Sequence, residues 1–278
     1  MLRRQTSGSV VCASCGYLVG VKDDRCYHCG RRNPGLFGFS VALRNLGHDA
    51  GLVPFVTGTC TVMFLVSILV GGVGLDGGLF GFLSPGGNGI LGAAGAGPIF
   101  FYHRWWTVLS ASWLHGSLLH LLMNLYGIRQ LAPAVGEFYG PGRMVIVYVL
   151  GGAIGFATSA LYGFFFSPEP TYHFTVGASA SILALLGALV YYGRRSGSRF
   201  ISNQAWTWAL STLVFGLMLS GIDNAAHVGG FAGGYLIGRI LDPLKQEQIN
   251  HVVIAVGLLL LSVLSIVASY LHYLLRLR

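Results

Sequence analysis

The feature that most constrains this sequence is a succession of long apolar segments that fills almost everything after Leu52. A transmembrane helix needs about 20 mostly apolar residues. Charged residues make up only 9% of the chain, against about 25% in typical soluble domains, which excludes a soluble globular monomer. Seven segments are predicted to span: Leu52–Leu75, Thr107–Pro133, Arg143–Phe166, Thr175–Tyr192, Asn203–Gly221, Asn224–Leu241 and Val252–Leu275. We therefore expect an all-α polytopic membrane protein.

The stretch Asp76–Arg104, between the first two predicted helices, is too interrupted by Gly and Pro to span on its own. It is also too apolar for a purely aqueous loop. We expect it to form an outer loop that lies in the membrane interface.

The net charge of +8 is explained by where the basic residues lie. With the N-terminus inside, the outer side keeps only Arg104, Arg276 and Arg278 of the 17 Lys and Arg residues. The positive-inside rule then predicts a cytoplasmic N-terminus. We expect an integral multi-pass protein of a bacterial inner (plasma) membrane, in contact with the lipid bilayer, and no nucleic-acid partner.

Four of the five cysteines lie in the first 29 residues, as two Cys-x-x-Cys pairs. This spacing is typical of a structural four-thiolate zinc site with Cys12, Cys15, Cys26 and Cys29 as ligands. His28 is an alternative ligand. We predict a zinc-ribbon-like cytoplasmic module over 1–34, a linker over 35–51 and a transmembrane domain over 52–278. The module is also a candidate site for a further, unidentified partner.

Strongly polar side chains within membrane helices are costly and usually mark function. His120 and Asn124 are four residues apart and share one face of the second predicted helix. Ser179 and His227 each lie about one turn below the outer end of their helices, the fourth and the sixth, whereas His120 and Asn124 are expected to lie deeper. Together they offer a nucleophile, a base and oxyanion donors.

Glycines in the sixth segment predict close helix packing. They form overlapping Gly-x-x-x-Gly pairs, which let two membrane helices approach closely. We expect them to share one face, and we expect Gly177 to help the fourth helix approach the sixth. These glycines are Gly229, Gly230, Gly233 and Gly234.

Three separated motifs occur in a consistent order along the chain. They are His120-x-x-x-Asn124, Gly177-Ala178-Ser179 and Ala226-His227 with the glycines that follow. With these motifs, residues 52 to 275 resemble the rhomboid family of intramembrane serine proteases. The resemblance implies a six-helix rhomboid core, here followed by a seventh, C-terminal transmembrane helix.

The resemblance also implies roles for four side chains. Ser179 would be the nucleophile of a Ser-His dyad, with His227 as general base and then general acid. His120, Asn124 and the backbone N–H of Ser179 would bind the oxyanion. Catalysis would need no cofactor, and the substrates would be transmembrane segments of membrane proteins, cut near the outer leaflet.

The sequence departs from the family pattern at three points. Ala180 follows the nucleophile where glycine is frequent, and Leu183 stands where many members have an aromatic residue that stacks on the histidine. Trp106-Thr107 replaces a Trp-Arg pair, so Arg104 becomes the candidate anchor of the outer loop. The alternative function is a non-proteolytic rhomboid-like scaffold that binds membrane proteins.

Overall fold

The structure is a computed structural model that describes residues 4–12, 15–40, 49–74, 84–219 and 221–276. Parts of the predicted linker and of the predicted interfacial stretch, together with Arg278, lie outside the described residues. Seven long helices occur in the described part of the chain. They are α1 (Leu52–Gly71), α2 (Leu118–Tyr139), α3 (Pro141–Phe166), α4 (Ser179–Ser196), α5 (Arg199–Met218), α6 (Asn224–Ile240) and α7 (Ile249–Arg276).

The seven helices confirm the predicted all-α fold. Within the described residues, α1, α3 and α7 are by themselves long and apolar enough to cross a membrane. The central helix is α4, whose residues 180–190 are all buried. It packs against α2, α3, α5 and α6, whereas α1, α5 and α7 carry many exposed large apolar side chains.

The predicted second helix, Thr107–Pro133, was wrong at both ends. The chain forms two short helical turns, Thr107–Ser110 and Ala111–Trp113, and starts α2 only at Leu118. Ser117 has an extended backbone and its hydroxyl accepts a hydrogen bond from the N–H of His120 at 3.2 Å, which caps the new helix. His120 therefore lies in the first turn of α2, not deep along it.

At its other end α2 continues through Pro133 and stops at Gly140, whose φ of 84° ends the helix. Proline is tolerated within membrane helices because neighbouring groups satisfy the carbonyl that it frees.

The N-terminal module is built on a small hairpin. Strands β1 (Ser9–Val11) and β2 (Leu18–Gly20) pair antiparallel, with Val10 opposite Val19. Both valines are buried against Cys12 and Cys26. A turn at Leu36–Gly38 folds back onto the module, because the N–H of Gln5 donates to the carbonyl of Gly38 at 2.9 Å.

The outer loop between α1 and α2 is described at residues 72–74 and again from Ser84 onward. Strands β3 (Val73–Gly74) and β4 (Ser84–Pro85) pair antiparallel, and helical turns follow at Asn88–Leu91 and Gly97–Phe101. The buried guanidinium of Arg104 donates to the carbonyls of Gly89 at 2.8 Å and Ile90 at 3.3 Å. Arg104 thus anchors the loop, as the sequence predicted.

The glycines of α6 divide between two neighbours. A methyl group on Gly230 or Gly234 would overlap the backbone carbonyl of Ala180 or Ala184 in α4. Gly229 and Gly233 instead face Thr158 and Ile154 in α3. The prediction of one shared face was therefore wrong: consecutive positions on a helix point about 100° apart, so the two pairs serve different neighbours.

Gly234→Ala is expected to destabilise the protein, although alanine normally favours a helix. Overpacking of this kind costs about 1–3 kcal/mol, so the thermal unfolding midpoint in detergent should fall by several degrees. Gly257→Ala in α7 is the matched control, since no atom lies within 4 Å of a methyl group there. Equal midpoints for the two variants would contradict this packing.

Candidate active site

Ser179 is the first residue of α4, and the chain turns at Gly177 just before it. Gly177 has φ of 133°, and its N–H donates to the carbonyl of Ala111 at 3.0 Å. A methyl group on Gly177 would lie 2.6 Å from Cε1 and 2.7 Å from Nε2 of His120. Gly177 was predicted to help the fourth helix approach the sixth. That prediction was wrong, because the side of Gly177 that lacks a Cβ atom faces the ring of His120.

His227 lies in the first turn of α6, which Asp223 caps. One carboxylate oxygen of Asp223 accepts the N–H of Ala226 at 2.9 Å, and the other accepts the hydroxyl of Ser159 from α3. The backbone carbonyl of Asp223 accepts the N–H of His227 at 3.1 Å. Asp223 therefore fixes the backbone that carries His227, rather than pairing with the ring.

The side chains of Ser179 and His227 meet directly. Nε2 of His227 lies 2.8 Å from Oγ of Ser179, which is hydrogen-bond distance. Nδ1 of His227 is buried and has no hydrogen-bond partner within the described residues. With Nε2 accepting the serine hydroxyl, the proton of the neutral ring is on Nδ1. Ser179 is only partly buried, so its hydroxyl can be approached.

His120 borders the same space. Its Nδ1 accepts the N–H of Gly116 at 3.4 Å, which leaves the proton of the neutral ring on Nε2, the nitrogen that faces Gly177. The position of a methyl group on Gly177 lies 2.7 Å from that nitrogen and 3.6 Å from Oγ of Ser179. A donor of His120 and the hydroxyl of Ser179 thus flank one small space.

Asn124 lies one turn further along α2. Its Nδ2 donates to the carbonyl of His120 at 2.9 Å, and the residue is buried. One amide hydrogen is used within the helix, so the second is the one that is free for another acceptor. His115 is fully buried beside His120, with ring centroids 5.2 Å apart. Its carbonyl accepts Nδ2 of Asn88 at 2.9 Å, which ties the outer loop to the start of α2.

A small apolar cluster includes the chain neighbours of Ser179 and His227. It consists of Ala94 and Ala111 from the outer loop, Phe156 from α3, Ala180 and Ala226. Ala180 directly follows Ser179, and Ala226 directly precedes His227. No aromatic ring stacks on His227 among the described residues, and Leu183 is buried in the main core.

Two residues of α3 that pack beside this site, Gly155 and Ser159, were not predicted from the sequence. A methyl group on Gly155 would lie 2.6 Å from the carbonyl of Ala226 and 2.9 Å from Cβ of Ala180, so this glycine lets α3 pack closely against the residues next to Ser179 and His227. Ser159 is the partner of Asp223. The Gly-x-x-x-Gly spacing of Gly151 and Gly155 could have predicted the close packing at Gly155. No feature of the sequence indicated that Ser159 pairs with Asp223.

The four N-terminal cysteines converge on one point. Their sulfurs all lie within 4.8 Å of one another, with 3.8 Å between Cys12 and Cys29 and 3.6 Å between Cys15 and Cys26. Four sulfurs at about 2.3 Å from a tetrahedral ion would be about 3.8 Å apart. The cluster therefore fits a metal ion, while the ring of His28 stacks on Tyr17 at 3.7 Å.

Two equivalent turns present these thiols. Gly16 donates to the carbonyl of Cys12, and Gly30 donates to that of Cys26, with φ of 77° and 73° at the two glycines. Desolvation raises the pKa of the Cys26 thiol, but hydrogen bonds with the backbone of Cys29 and His28 outweigh it and lower that pKa to about 7. The pKa of the neighbouring Cys15 thiol is shifted the other way: a hydrogen bond with the backbone of Tyr17 lowers it, but burial and hydrogen bonds with the other three thiols outweigh that effect and raise it.

Comparison with known proteins identifies the class. The Rhomboid domain family matches residues 102–243, just over half of the chain. The chain belongs to the rhomboid family, and it is a polytopic integral membrane protein with a six-helix core, α1–α6, and a seventh helix, α7.

Several relatives are similar over this region. Rhomboid protease GluP of Bacillus subtilis (strain 168) is 31% identical over 61% of this chain and 32% of its own length. RHOMBOID-like protein 4 of Arabidopsis thaliana is 32% identical over 49% of this chain and 34% of its own. Rhomboid-like protease 5 of Toxoplasma gondii is 32% identical over 53% of this chain and 18% of its own. The chain thus spans about a third of the first two relatives and less of the third.

Asp223→Ala is expected to destabilise α6, because it removes the helix cap and leaves the hydroxyl of Ser159 without its acceptor. Loss of such a cap costs about 1–2 kcal/mol, which unfolding in detergent can measure. Asp223→Asn is the matched control, since asparagine caps helices equally well and keeps an acceptor. If the alanine variant were as stable as wild type, Asp223 would not hold this helix end.

Proposed function

We propose that this protein is an intramembrane serine endopeptidase that cuts transmembrane segments of membrane proteins with a Ser179–His227 dyad. The observation that carries the proposal is the 2.8 Å contact between Oγ of Ser179 and Nε2 of His227. A serine hydroxyl becomes a useful nucleophile when an adjacent base can take its proton. The partial exposure of Ser179 leaves that hydroxyl within reach of a substrate.

The dyad would act in two stages. Oγ of Ser179 attacks the scissile carbonyl carbon while its proton passes to Nε2 of His227. The same proton then goes to the leaving amine as the C–N bond breaks, which leaves an acyl-enzyme. Water attacks this ester, gives a proton to Nε2 and releases the acid, and Oγ recovers a proton from His227. No cofactor takes part in the proposed steps.

The oxyanion of each tetrahedral intermediate would be bound in the space beside Gly177. The Nε2–H of His120 is one donor, and the backbone N–H of Ser179, at the start of α4, is another. The free amide hydrogen of Asn124 is the third. Loss of one oxyanion donor typically costs about 10²–10³ in kcat, so these groups supply a large part of the proposed catalysis.

The position of the site suggests the substrate. Ser179 and His227 lie in the first turns of their helices, at the end that the predicted topology assigns to the outer leaflet of a bacterial inner membrane, with the N-terminus in the cytoplasm. A transmembrane helix would have to unwind there, so Gly, Pro or Ser near the cut would favour cleavage. The resemblance adds a preference for a small residue before the cleaved bond.

A rhomboid-like protein that only binds membrane proteins is the second candidate. Binding alone needs no serine and histidine side chains in contact, so the Ser179–His227 pair favours the protease. The names of GluP and of the Toxoplasma relative also contain the word protease.

A fluorophosphonate probe is expected to label the purified wild-type protein, because the probe reacts with serines that a base activates. Ser179→Ala should abolish labelling, and His227→Ala should lower it to background. Ser211→Ala, which removes an exposed hydroxyl of α5, is the control and should label like wild type. A transmembrane model substrate in proteoliposomes should be cut only by the variants that label.

Two results would overturn the proposal. Undiminished labelling of Ser179→Ala would exclude this serine as the nucleophile. A folded wild-type protein that neither labels nor cuts, but still binds transmembrane peptides, would support the scaffold instead.

We propose separately that the N-terminal module, predicted over 1–34, binds one structural zinc ion through Cys12, Cys15, Cys26 and Cys29. All four tetrahedral positions would be filled by thiolates, so the ion would have no open position for chemistry. The module has only a small core, and zinc binding would supply much of its folding free energy. The predicted linker over 35–51 joins it to the transmembrane domain at 52–278.

Metal analysis of the full chain is expected to give one zinc per molecule, and Cys15→Ser should lose it. Cys60→Ala is the matched control, because Cys60 is buried in α1, outside the cluster. Zinc should be retained at neutral pH and released as the pH falls, since protons compete for the thiolates. Equal zinc content in the Cys15→Ser and wild-type proteins would contradict the ligand assignment.

A further inference from the structure

We infer that the C-terminal helix α7 positions the nucleophile through the outer loop, and that a hydrogen bond from Trp106 to Ser269 is the joint between them. The inference rests on the proposed function for its effect on catalysis, but its structural part is independent. Trp106 and Ser269 would be positioning residues, since neither lies at the dyad.

The outer loop is bound directly to the chain that leads to Ser179. The carbonyl of Ala111 accepts the N–H of Gly177 at 3.0 Å. Ala94 and Thr175 exchange two backbone hydrogen bonds, of 3.0 and 2.8 Å. Because these are main-chain contacts, a shift of the loop would move the turn before α4 with it.

Just after the nucleophile, the loop makes a further contact. The hydroxyls of Ser112 and Ser181 lie 3.3 Å apart in a buried position. The loop therefore contacts the chain on both sides of Ser179. The conformation of the outer loop therefore determines the orientation of Ser179.

The other side of the loop is bound to α7. Nε1 of Trp106 donates to the hydroxyl of Ser269 at 3.0 Å, and Ser269 is fully buried. Gly92 lies against the same hydroxyl, because a methyl group there would come within 2.6 Å of it. The carbonyl of Gly92 in turn accepts the hydroxyl of Ser110 at 2.7 Å.

Two ring contacts extend this joint toward the end of α7. The ring of His272 lies 5.9 Å from that of Trp106, edge to face. The guanidinium of Arg276 lies 5.8 Å from the ring centroid of Tyr102, within the range of a cation–π interaction. The last turns of α7 thus follow the loop over residues 102–106.

Ser269 differs from the other buried serines of α7. Ser262 donates to the carbonyl of Leu258 at 3.0 Å, and Ser265 donates to that of Ser262 at 2.7 Å. These bonds stay within the helix, as serine hydroxyls often do in membrane helices. Ser269 instead accepts a hydrogen bond from another part of the chain, so it connects the helix to the loop.

Hydrogen–deuterium exchange tests the structural part without any assay of activity. Ser269→Ala should speed exchange of the amides in residues 107–113 and 175–179, because the loop loses its attachment to α7. Ser262→Ala is the matched control: it removes a buried hydroxyl from the same helix but no contact with the loop. Trp106→Phe, which removes only the indole donor and part of the ring, is the second variant in case Ser269→Ala is poorly folded.

Kinetics test the catalytic part. Trp106→Phe and Ser269→Ala should each slow fluorophosphonate labelling and lower kcat for a transmembrane model substrate by about threefold to tenfold, as expected for one lost hydrogen bond, with KM within about twofold. The double variant should be no slower than the slower single variant, because both changes remove the same bond. Ser262→Ala should match wild type.

The inference would be overturned if Ser269→Ala matched Ser262→Ala in both exchange and kinetics. Multiplicative effects in the double variant would also overturn it, since the two residues would then act independently. Unlabelled wild-type protein would count against the proposed protease function alone, because the exchange experiment would still decide whether α7 holds the loop.

Discussion

The structure depends on the close approach of α4 and α6. Membrane helices gain no hydrophobic stabilisation from each other, because lipid is as apolar as their side chains, and packing between small residues takes its place. Gly230 and Gly234 lie directly on the backbone of Ala180 and Ala184. Serine and histidine side chains are short, so a 2.8 Å contact between Ser179 and His227 exists only if their backbones are this near. The packing glycines and this contact are therefore one feature: any residue that separates the helices also separates Oγ of Ser179 from Nε2 of His227.

Few polar groups surround this contact, and they are held in different ways. Among the described residues no carboxylate bonds to the ring of His227. Asp223 instead caps the start of α6 and accepts a hydrogen bond from the hydroxyl of Ser159 in α3. His120 is oriented by the N–H of Gly116 and is given room by Gly177. Because His120 is oriented by a main-chain group, its orientation needs no further polar side chain in a medium where an unpaired buried polar group costs several kcal/mol. Charged side chains are as scarce around this contact as they are along the whole chain, where they make up 9% of the residues.

Sequence reasoning succeeded where the signal was local or repeated. Apolar segments of spanning length predicted seven helices, and the order of the histidine, serine and glycine motifs predicted which side chains would meet. Prediction from the sequence failed where two local structural preferences compete, or where the interacting residue is far away in the chain. The apolar run from Thr107 looked like one helix, but Ser117 caps a new one. Helical spacing alone does not tell which neighbour a glycine faces, so the division of the α6 glycines between α3 and α4 was not predictable. The pairing of Asp223 with Ser159 joins residues 64 apart. The convergence of the four N-terminal cysteines was predictable because their turns are local.

The outer loop shows why small residues matter beyond helix packing. Ala94 and Ala111 lie with Phe156, Ala180 and Ala226 in one buried cluster, which includes the chain neighbours of Ser179 and His227. Larger side chains there would push the loop away from α4 and break the bond between Ala111 and Gly177, whereas alanine lets the two backbones meet. A loop held only by such contacts on one side would be free to tilt about them. The proposed joint at the buried hydroxyl of Ser269, on the other side, would remove that freedom, so α7 would determine how firmly Ser179 is held.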